Sequence, residues 1–80
     1  MSGKVKADRS LDCIGLYCPE PVFRTRQEID KMDVGQVLEV IADDPAAEAD
    51  IQSLVKRTGQ KLIEIRKEGN QIRFLVRKVK

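Results

Sequence analysis

The chain contains no histidine among its 80 residues, and this excludes several classes of active site. A Ser–His or Cys–His dyad needs an imidazole as its general base, and histidine is a frequent zinc ligand. Aromatic residues are also scarce, with one tyrosine, two phenylalanines and no tryptophan. The core must therefore be mostly aliphatic, and the chain lacks the stacking surface on which single-strand nucleic-acid binders rely.

Long hydrophobic runs and signal-peptide patterns are missing as well. We therefore expect no membrane association and a cytoplasmic location. The chain has only two cysteines, Cys13 and Cys18, which in a reducing compartment are more often free or catalytic than a structural disulfide. Eighty residues supply one core, so we expect a single domain over residues 7–80 after a disordered start at residues 1–6.

The most informative stretch is the sequence G-L-Y-C-P-E-P at residues 15–21, which joins a predicted strand to a predicted helix. A residue that precedes proline is pushed toward extended backbone geometry, whereas proline itself fits the first turn of a helix. We therefore predict Cys18 at the N-cap, Pro19 as the first helical residue and Pro21 as the third. Gly15 is expected to permit a loop geometry that other residues resist.

This placement makes Cys18 the candidate nucleophile. Free N–H groups and the positive end of the helix dipole lower the pKa of a neighbouring thiol and favour the thiolate. Glu20 in the first turn opposes that effect, and Arg24 or Arg26 would offset it if either reached the loop. With no histidine present, the chain offers a reactive sulfur without a dedicated general base.

The same stretch resembles the G-L-x-C-P-x-P signature of the TusA/SirA/YedF family of small sulfur-carrier proteins. Further blocks extend the resemblance over nearly the whole chain: A-D-D-P at residues 42–45, D-I at residues 50–51 and T-G at residues 58–59. The resemblance implies that Cys18 carries a persulfide sulfur. It also implies a sulfur-donor protein (a cysteine desulfurase or a rhodanese-like protein) and an acceptor protein as partners, with RNA involved only indirectly.

The hydrophobic pattern predicts the order β-α-β-α-β-β. A strand over residues 7–12 precedes the loop, and a helix follows from Pro19 to about Met32. A nearly continuous apolar strand is predicted over residues 37–42, and a second helix over residues 46–58. Residues 61–67 and 71–77 are expected to pair as a hairpin. The predicted fold is an α/β two-layer sandwich with two helices on one face of a four-stranded mixed sheet, and the family resemblance implies the same architecture.

Two further residues of the loop region have more than one interpretation. Cys13 is either a resolving thiol that attacks an oxidised Cys18 or a small buried residue at a strand end, and the usual burial of free cysteines favours the second. Asp12 is expected to hydrogen-bond the loop backbone and shape it without acting as a base.

Charge is distributed unevenly along the chain. Residues 31–55 carry six acidic and one basic side chain, whereas residues 56–80 carry nine basic and two acidic. The acidic cluster at Asp43, Asp44, Glu48 and Asp50 is better explained by a helix start than by a metal site, and we expect neither metal nor cofactor. The basic segment is either solvated surface or a contact face for a partner, with Lys56, Arg57 and Arg73 as candidate binding residues.

Two functions from different classes are therefore compatible with the sequence. The first is a sulfurtransferase-type carrier that accepts a sulfane sulfur on Cys18 and passes it to an acceptor protein. The resemblance allows thiolated tRNA, molybdenum-cofactor enzymes or sulfur metabolism as the end use. The second is a regulatory or RNA- or protein-binding module that uses the basic C-terminal face. A two-thiol redox switch of Cys13 and Cys18 is a third possibility.

Overall fold

A computed structural model of the chain describes residues 6–17 and 19–80. The predicted disordered start at residues 1–6 lies outside the described residues except for Lys6, and Cys18 lies outside them too. Four strands and two helices follow one another in the described part: β1 (Arg9–Cys13), α1 (Glu20–Lys31), β2 (Val37–Ala42), α2 (Ala46–Thr58), β3 (Lys61–Glu68) and β4 (Gln71–Arg77).

The strands form one mixed sheet in the order β1-β2-β4-β3. β1 and β2 run parallel, with Cys13 paired to Ala42 at their carboxyl ends. The remaining pairs, β2 with β4 and β3 with β4, are antiparallel. Both the predicted element order and the predicted two-layer architecture are confirmed.

Strand alternation assigns one face of the sheet to the core. In β4, Ile72, Phe74 and Val76 are buried, while Arg73 and the other intervening residues are partly exposed on the opposite face. The helices cover the buried face with aliphatic side chains, among them Ile29 of α1 and the α2 set predicted from helical spacing: Ala47, Ile51, Leu54 and Val55. The opposite face of the sheet has no helix packed on it among the described elements.

Most predicted boundaries agree with the structure to within two residues. β1 begins at Arg9 and not at residue 7, because the Asp8 carboxylate accepts the N–H of Val37 at 2.8 Å and bends the chain there. The strand also extends through Cys13, which had been assigned to the loop. β2, α2 and β4 have the predicted bounds, and β3 continues one residue further, to Glu68. No helix in the described ranges combines the length and the hydrophobicity that crossing a bilayer requires.

Candidate functional site

The loop between β1 and α1 is held by a series of backbone N–H groups. The N–H of Ile14 donates to Asp12 Oδ1 at 2.9 Å, and the N–H of Gly15 donates to Asp43 Oδ1 at 2.9 Å. The next N–H, that of Leu16, donates to the carbonyl of Cys13 at 3.1 Å. The amides of residues 14, 15 and 16 are thus all occupied, so this half of the loop is pinned to the carboxyl ends of β1 and β2.

Gly15 has a φ of +81°, in the left-handed region where a side chain is strained. Its expected special geometry is therefore present. The Asp12 hydrogen bond is the contact expected of a residue that shapes the loop. That either contact serves Cys18 stays a prediction, since residue 18 itself lies outside the described part of the chain.

The start of α1 differs from the prediction by one position. Pro19 occupies the N-cap, with φ −98° and ψ 12°, and Glu20 is the first helical residue. The assignments of Cys18 as the N-cap, Pro19 as the first helical residue and Pro21 as the third are therefore wrong, and Pro21 is the second. The reason is a tight turn in which the Glu20 N–H donates to the Tyr17 carbonyl at 2.8 Å, which delays helical geometry by one residue.

This shift alters the electrostatics at the helix start. Pro19 and Pro21 have no N–H group, and the N–H of Glu20 is already used by Tyr17. Fewer free amides are therefore available to an anion than the sequence suggested. The acidic side chain of Glu20 is itself countered by Arg24, whose Nε lies 3.4 Å from Glu20 Oε1. Because both groups are about half exposed, solvent screens this pair, and it contributes little to stability.

Around the loop, large apolar side chains are exposed to solvent. Tyr17 is 73% exposed and Phe23, in the first turn of α1, is 56% exposed. Ile14 is also exposed, whereas Leu16 packs against the core. Single exposed apolar residues are ordinary. Here, however, two of the three aromatic residues of the chain are exposed, and both lie within five sequence positions of Cys18.

Cys13, in contrast to these exposed side chains, is inaccessible to solvent. It is 0% exposed at the end of β1 and belongs to the hydrophobic core. Burial raises the pKa of its thiol above the ordinary value of 9.0, an effect that Arg24 partly opposes and Asp12 reinforces. This position agrees with the structural interpretation. The resolving role stays a prediction, and a buried, protonated thiol is a poor nucleophile for it.

The acidic cluster is divided among separate tasks. Asp43 Oδ1 accepts a hydrogen bond from the Gly15 N–H of the loop, and Asp44 Oδ1 accepts one from the N–H of Ala46 at 3.0 Å. Glu48 forms an ion pair with Lys67 at 2.8 Å. Within residues 6–17 and 19–80, no three His, Cys, Asp or Glu side chains are grouped as a metal site would require. A polar cavity of about 390 Å³ adjoins the loop through Asp43. Its lining is Asp43, Pro45, Glu48, Lys67, Gly69, Asn70 and Ile72.

The candidate basic residues are not brought together. Lys56 and Arg57 are exposed in the last turn of α2, in the helical layer. Arg73 lies on the opposite face of the sheet, where its Nε is 3.3 Å from Glu39 Oε2 and its guanidinium also approaches Glu68. A single flat partner could not contact all three at once.

Sequence reasoning missed Asp43 as a residue of the site and grouped it with a helix start. The signal was available, because the carboxyl ends of adjacent parallel strands lie at the same edge of a sheet. Asp43 follows β2 directly, as Ile14 follows β1. A carboxylate at the end of one strand is therefore within reach of the loop that leaves the other.

Comparison with known proteins gives a consistent result. Residues 9–78 match the family model described as Sulfurtransferase TusA. A putative sulfur carrier protein of Archaeoglobus fulgidus is 55% identical over 90% of this chain and 95% of its own. The sulfur carrier protein TusA of Allochromatium vinosum is 42% identical over 89% of this chain and 93% of its own. The crystal structure of a SirA-like protein from Desulfitobacterium hafniense superposes with a TM-score of 0.79 at 22% identity, covering 90% of this chain and 99% of that one, which supports the fold.

Proposed function

The chain belongs to the TusA family of sulfur carriers, and from that premise we propose that it carries a sulfane sulfur as a persulfide on Cys18. One observation supports this choice of residue above the others. The chain has only two cysteines, and Cys13 is completely buried in the core with a raised thiol pKa. By elimination, Cys18 is the thiol that can exchange sulfur with another protein.

The loading step is nucleophilic exchange at sulfur. The Cys18 thiolate attacks the outer sulfur of a persulfide on the donor protein, and the donor's S–S bond breaks. Its inner sulfur leaves as a thiolate with the bonding electron pair, and Cys18 keeps the transferred sulfur as a persulfide. Delivery repeats the exchange, with an acceptor thiolate attacking the outer sulfur of the Cys18 persulfide. No net oxidation occurs, and no further reactant is consumed.

The chain's composition suits a carrier. Without histidine it has no strong general base near neutral pH, so proton transfer falls to the donor and the acceptor. What the chain supplies instead is a fixed loop before the cysteine, held by the hydrogen bonds of Ile14, Gly15 and Leu16. Exposed Tyr17 and Phe23 supply apolar area that a partner can cover.

The proposed partners are a cysteine desulfurase or rhodanese-like donor and an acceptor protein of a sulfur relay. We propose tRNA thiolation, molybdenum-cofactor synthesis or sulfur metabolism as the pathway that uses the sulfur. Contact with RNA would then be indirect, through the acceptor. The separation of Lys56 and Arg57 from Arg73 on different layers favours this over a basic RNA-binding face.

Intact-protein mass spectrometry tests the proposal. The protein is incubated with a cysteine desulfurase and cysteine, or with a rhodanese and thiosulfate, and is analysed with and without a reductant. We expect a gain of one sulfur atom that the reductant removes. Cys18→Ser should abolish the gain, and Cys13→Ala is the matched control that should retain it.

Sulfur loading of the Cys18→Ser protein would contradict the assignment, as would loss of loading in a folded Cys13→Ala protein. Absence of loading in the wild type with both donors would instead favour the binding-module interpretation.

A further inference from the structure

The loop that leads to Cys18 has one side-chain hydrogen bond to a distant part of the chain within the described residues. It joins the Gly15 N–H to Asp43 Oδ1 at 2.9 Å, across 28 positions of sequence. The neighbouring contacts are local, from Ile14 to Asp12 and from Leu16 to Cys13. Local contacts fix the shape of a turn, whereas a distant one fixes where the turn lies relative to the rest of the fold.

Asp43 is well placed to act as a fixed anchor. It follows Ala42, which is completely buried and paired to Cys13 at the end of the sheet. The next residue, Asp44, accepts the N–H of Ala46 at the start of α2. The carboxylate of Asp43 is therefore attached to a backbone that β2 holds on one side and α2 on the other.

The acceptor role of Asp43 also explains its charge. No Lys or Arg nitrogen within residues 6–17 and 19–80 lies in ion-pair distance of Asp43, so the carboxylate is not there as half of a salt bridge. The carboxylate accepts instead from a neutral backbone amide, that of Gly15. A hydrogen bond to a charged acceptor is stronger than one between neutral groups, so this contact can order an exposed loop.

We propose that Asp43 is a positioning residue for sulfur transfer, which ties the Cys18 loop to the β2–α2 edge so that partner proteins meet the cysteine at a fixed place. This inference rests on the function proposed above. A carrier needs a sulfur that is reactive and a sulfur that is presented at the correct position. The inference goes further than the proposed function because it assigns the second requirement to Asp43, a residue outside the loop. A partner protein must match the loop's position, whereas a small sulfur donor need not.

Three variants separate these contributions. Asp43→Ala removes both the acceptor and the charge, and Asp43→Asn keeps an oxygen acceptor while removing the charge. Asp30→Ala is the matched control, because Asp30 is an exposed carboxylate on α1 that forms no ion pair or side-chain hydrogen bond within residues 6–17 and 19–80. Thermal unfolding of each variant first establishes that it is folded.

Two readouts then test the role. The first is hydrogen exchange of the Gly15 amide by NMR, which we expect to be about tenfold faster in Asp43→Ala, the change that corresponds to one lost hydrogen bond. The second is the rate of persulfide loading, measured with a cysteine desulfurase as a protein donor and with inorganic polysulfide as a small donor. With polysulfide, the Cys18 thiolate takes one sulfur atom and a polysulfide dianion shorter by one sulfur leaves with the bonding electrons.

We expect Asp43→Ala to be loaded about tenfold more slowly by the desulfurase and within about twofold of wild type by polysulfide. Asp43→Asn keeps a weaker, uncharged acceptor, so its loading by the desulfurase should lie between those of Asp43→Ala and wild type. Desulfurase loading of Asp43→Ala at the wild-type rate would overturn the inference. Equal slowing with both donors would overturn it too, since it would indicate a change in thiol chemistry, and so would failure of Asn to rescue.

The two proposals can fail separately. A wild type that no protein donor loads would remove the proposed function. The Gly15 exchange rates would still decide whether Asp43 holds the loop.

Discussion

Strand geometry decides the chemistry of Cys13, one of two cysteines that are only five positions apart. Cys13 ends β1 on the side of the strand that faces the helices, so it is completely buried. Cys18 follows a loop whose neighbouring Tyr17 is largely exposed. Residue type alone does not indicate the burial of Cys13, which follows from its position in β1.

Substitution of Cys13 should affect stability without affecting sulfur loading. Cys13→Ala removes a small buried side-chain atom and should lower the free energy of unfolding by about 1 kcal/mol. Cys13→Ser places a hydroxyl in the same apolar site and should cost more, about 1–3 kcal/mol. Urea denaturation of both variants beside the wild type measures the difference. A serine variant as stable as the alanine variant would indicate that the hydroxyl finds a partner and that the site is less apolar than described.

The raised thiol pKa of Cys13 also predicts a pH dependence. A thiol with a higher pKa in the folded state contributes its stability below the unfolded pKa and loses it as the pH rises toward the folded pKa. The stability advantage of wild type over Cys13→Ala should therefore hold at pH 7 and shrink above about pH 9, the ordinary value for this group. Urea denaturation of both proteins from neutral to alkaline pH measures it, and the subtraction cancels the contribution of all groups that the two proteins share. A constant difference across that range would contradict the burial effect.

Among the elements, the two helices begin in different ways although both starts contain proline. At α2, Pro45 has helical φ and ψ values of −56° and −29°, and Asp44 accepts the N–H of Ala46 as a capping residue does. At α1, Pro19 lies outside the helix and no side chain caps it. The two starts therefore differ although both contain a proline, because only at α2 does a side-chain oxygen accept a first-turn N–H.

The C-terminal end of α1 is capped by Lys78, a residue that is distant in sequence. Its Nζ donates to the carbonyls of Ile29 and Met32, both at 2.9 Å, where a helix has unsatisfied carbonyls and its negative dipole end. The backbone of Lys78 also pairs with the α1–β2 turn, through Gln36 and Gly35. The segment after β4 thus fixes the end of α1.

Removal of this contact should destabilise the fold. Lys78→Met keeps most of the aliphatic stem and loses both hydrogen bonds, so the free energy of unfolding should fall by about 1–2 kcal/mol. Lys61→Met is the matched control, since Lys61 is exposed and has no ion pair among the described residues. Thermal and urea unfolding report the change. Equal stability of the two variants would show that the ammonium group contributes nothing beyond its solvation.

At the scale of the whole molecule, charge differs between the two ends of the sheet. The end with the Cys18 loop also has Asp43, Asp44 and the β3–β4 turn, because β1 and β2 finish there and β4 begins there. The opposite end has basic residues for which the described part of the chain shows no ion pair: Lys56, Arg57, Lys61, Arg77 and Lys80.

Charge reversal at the basic end should therefore leave sulfur loading nearly unchanged. The longest dimension of the fold is 30 Å, several times the screening length of about 8 Å at physiological ionic strength. The double variant Lys56→Glu, Arg57→Glu should be loaded by a desulfurase within about twofold of wild type, since screening removes most of its effect on the loop. A large loss of loading at physiological salt would favour a partner that binds the basic residues, as in the alternative function.

Much of the fold could be predicted from local patterns. The apolar run of β2, the helical spacing in α2 and the Gly69-Asn70 turn each specify an element whose bounds need no distant contact. The cysteine motif likewise identified the family, because it is a continuous stretch of chain. The family match over residues 9–78 supports that identification.

Other features depend on contacts between distant segments. The late start of β1 follows from Asp8 binding Val37, and the late start of α1 follows from the turn at Tyr17. The burial of Cys13, the scattering of the basic residues over two layers and the hydrogen bond from Gly15 to Asp43 all require the sheet to be assembled. Periodicity determines which residues form an element and which side they present. Only the packed structure determines which side chains from separate elements meet, because a hydrogen bond of about 3 Å needs strand order and register to be fixed first.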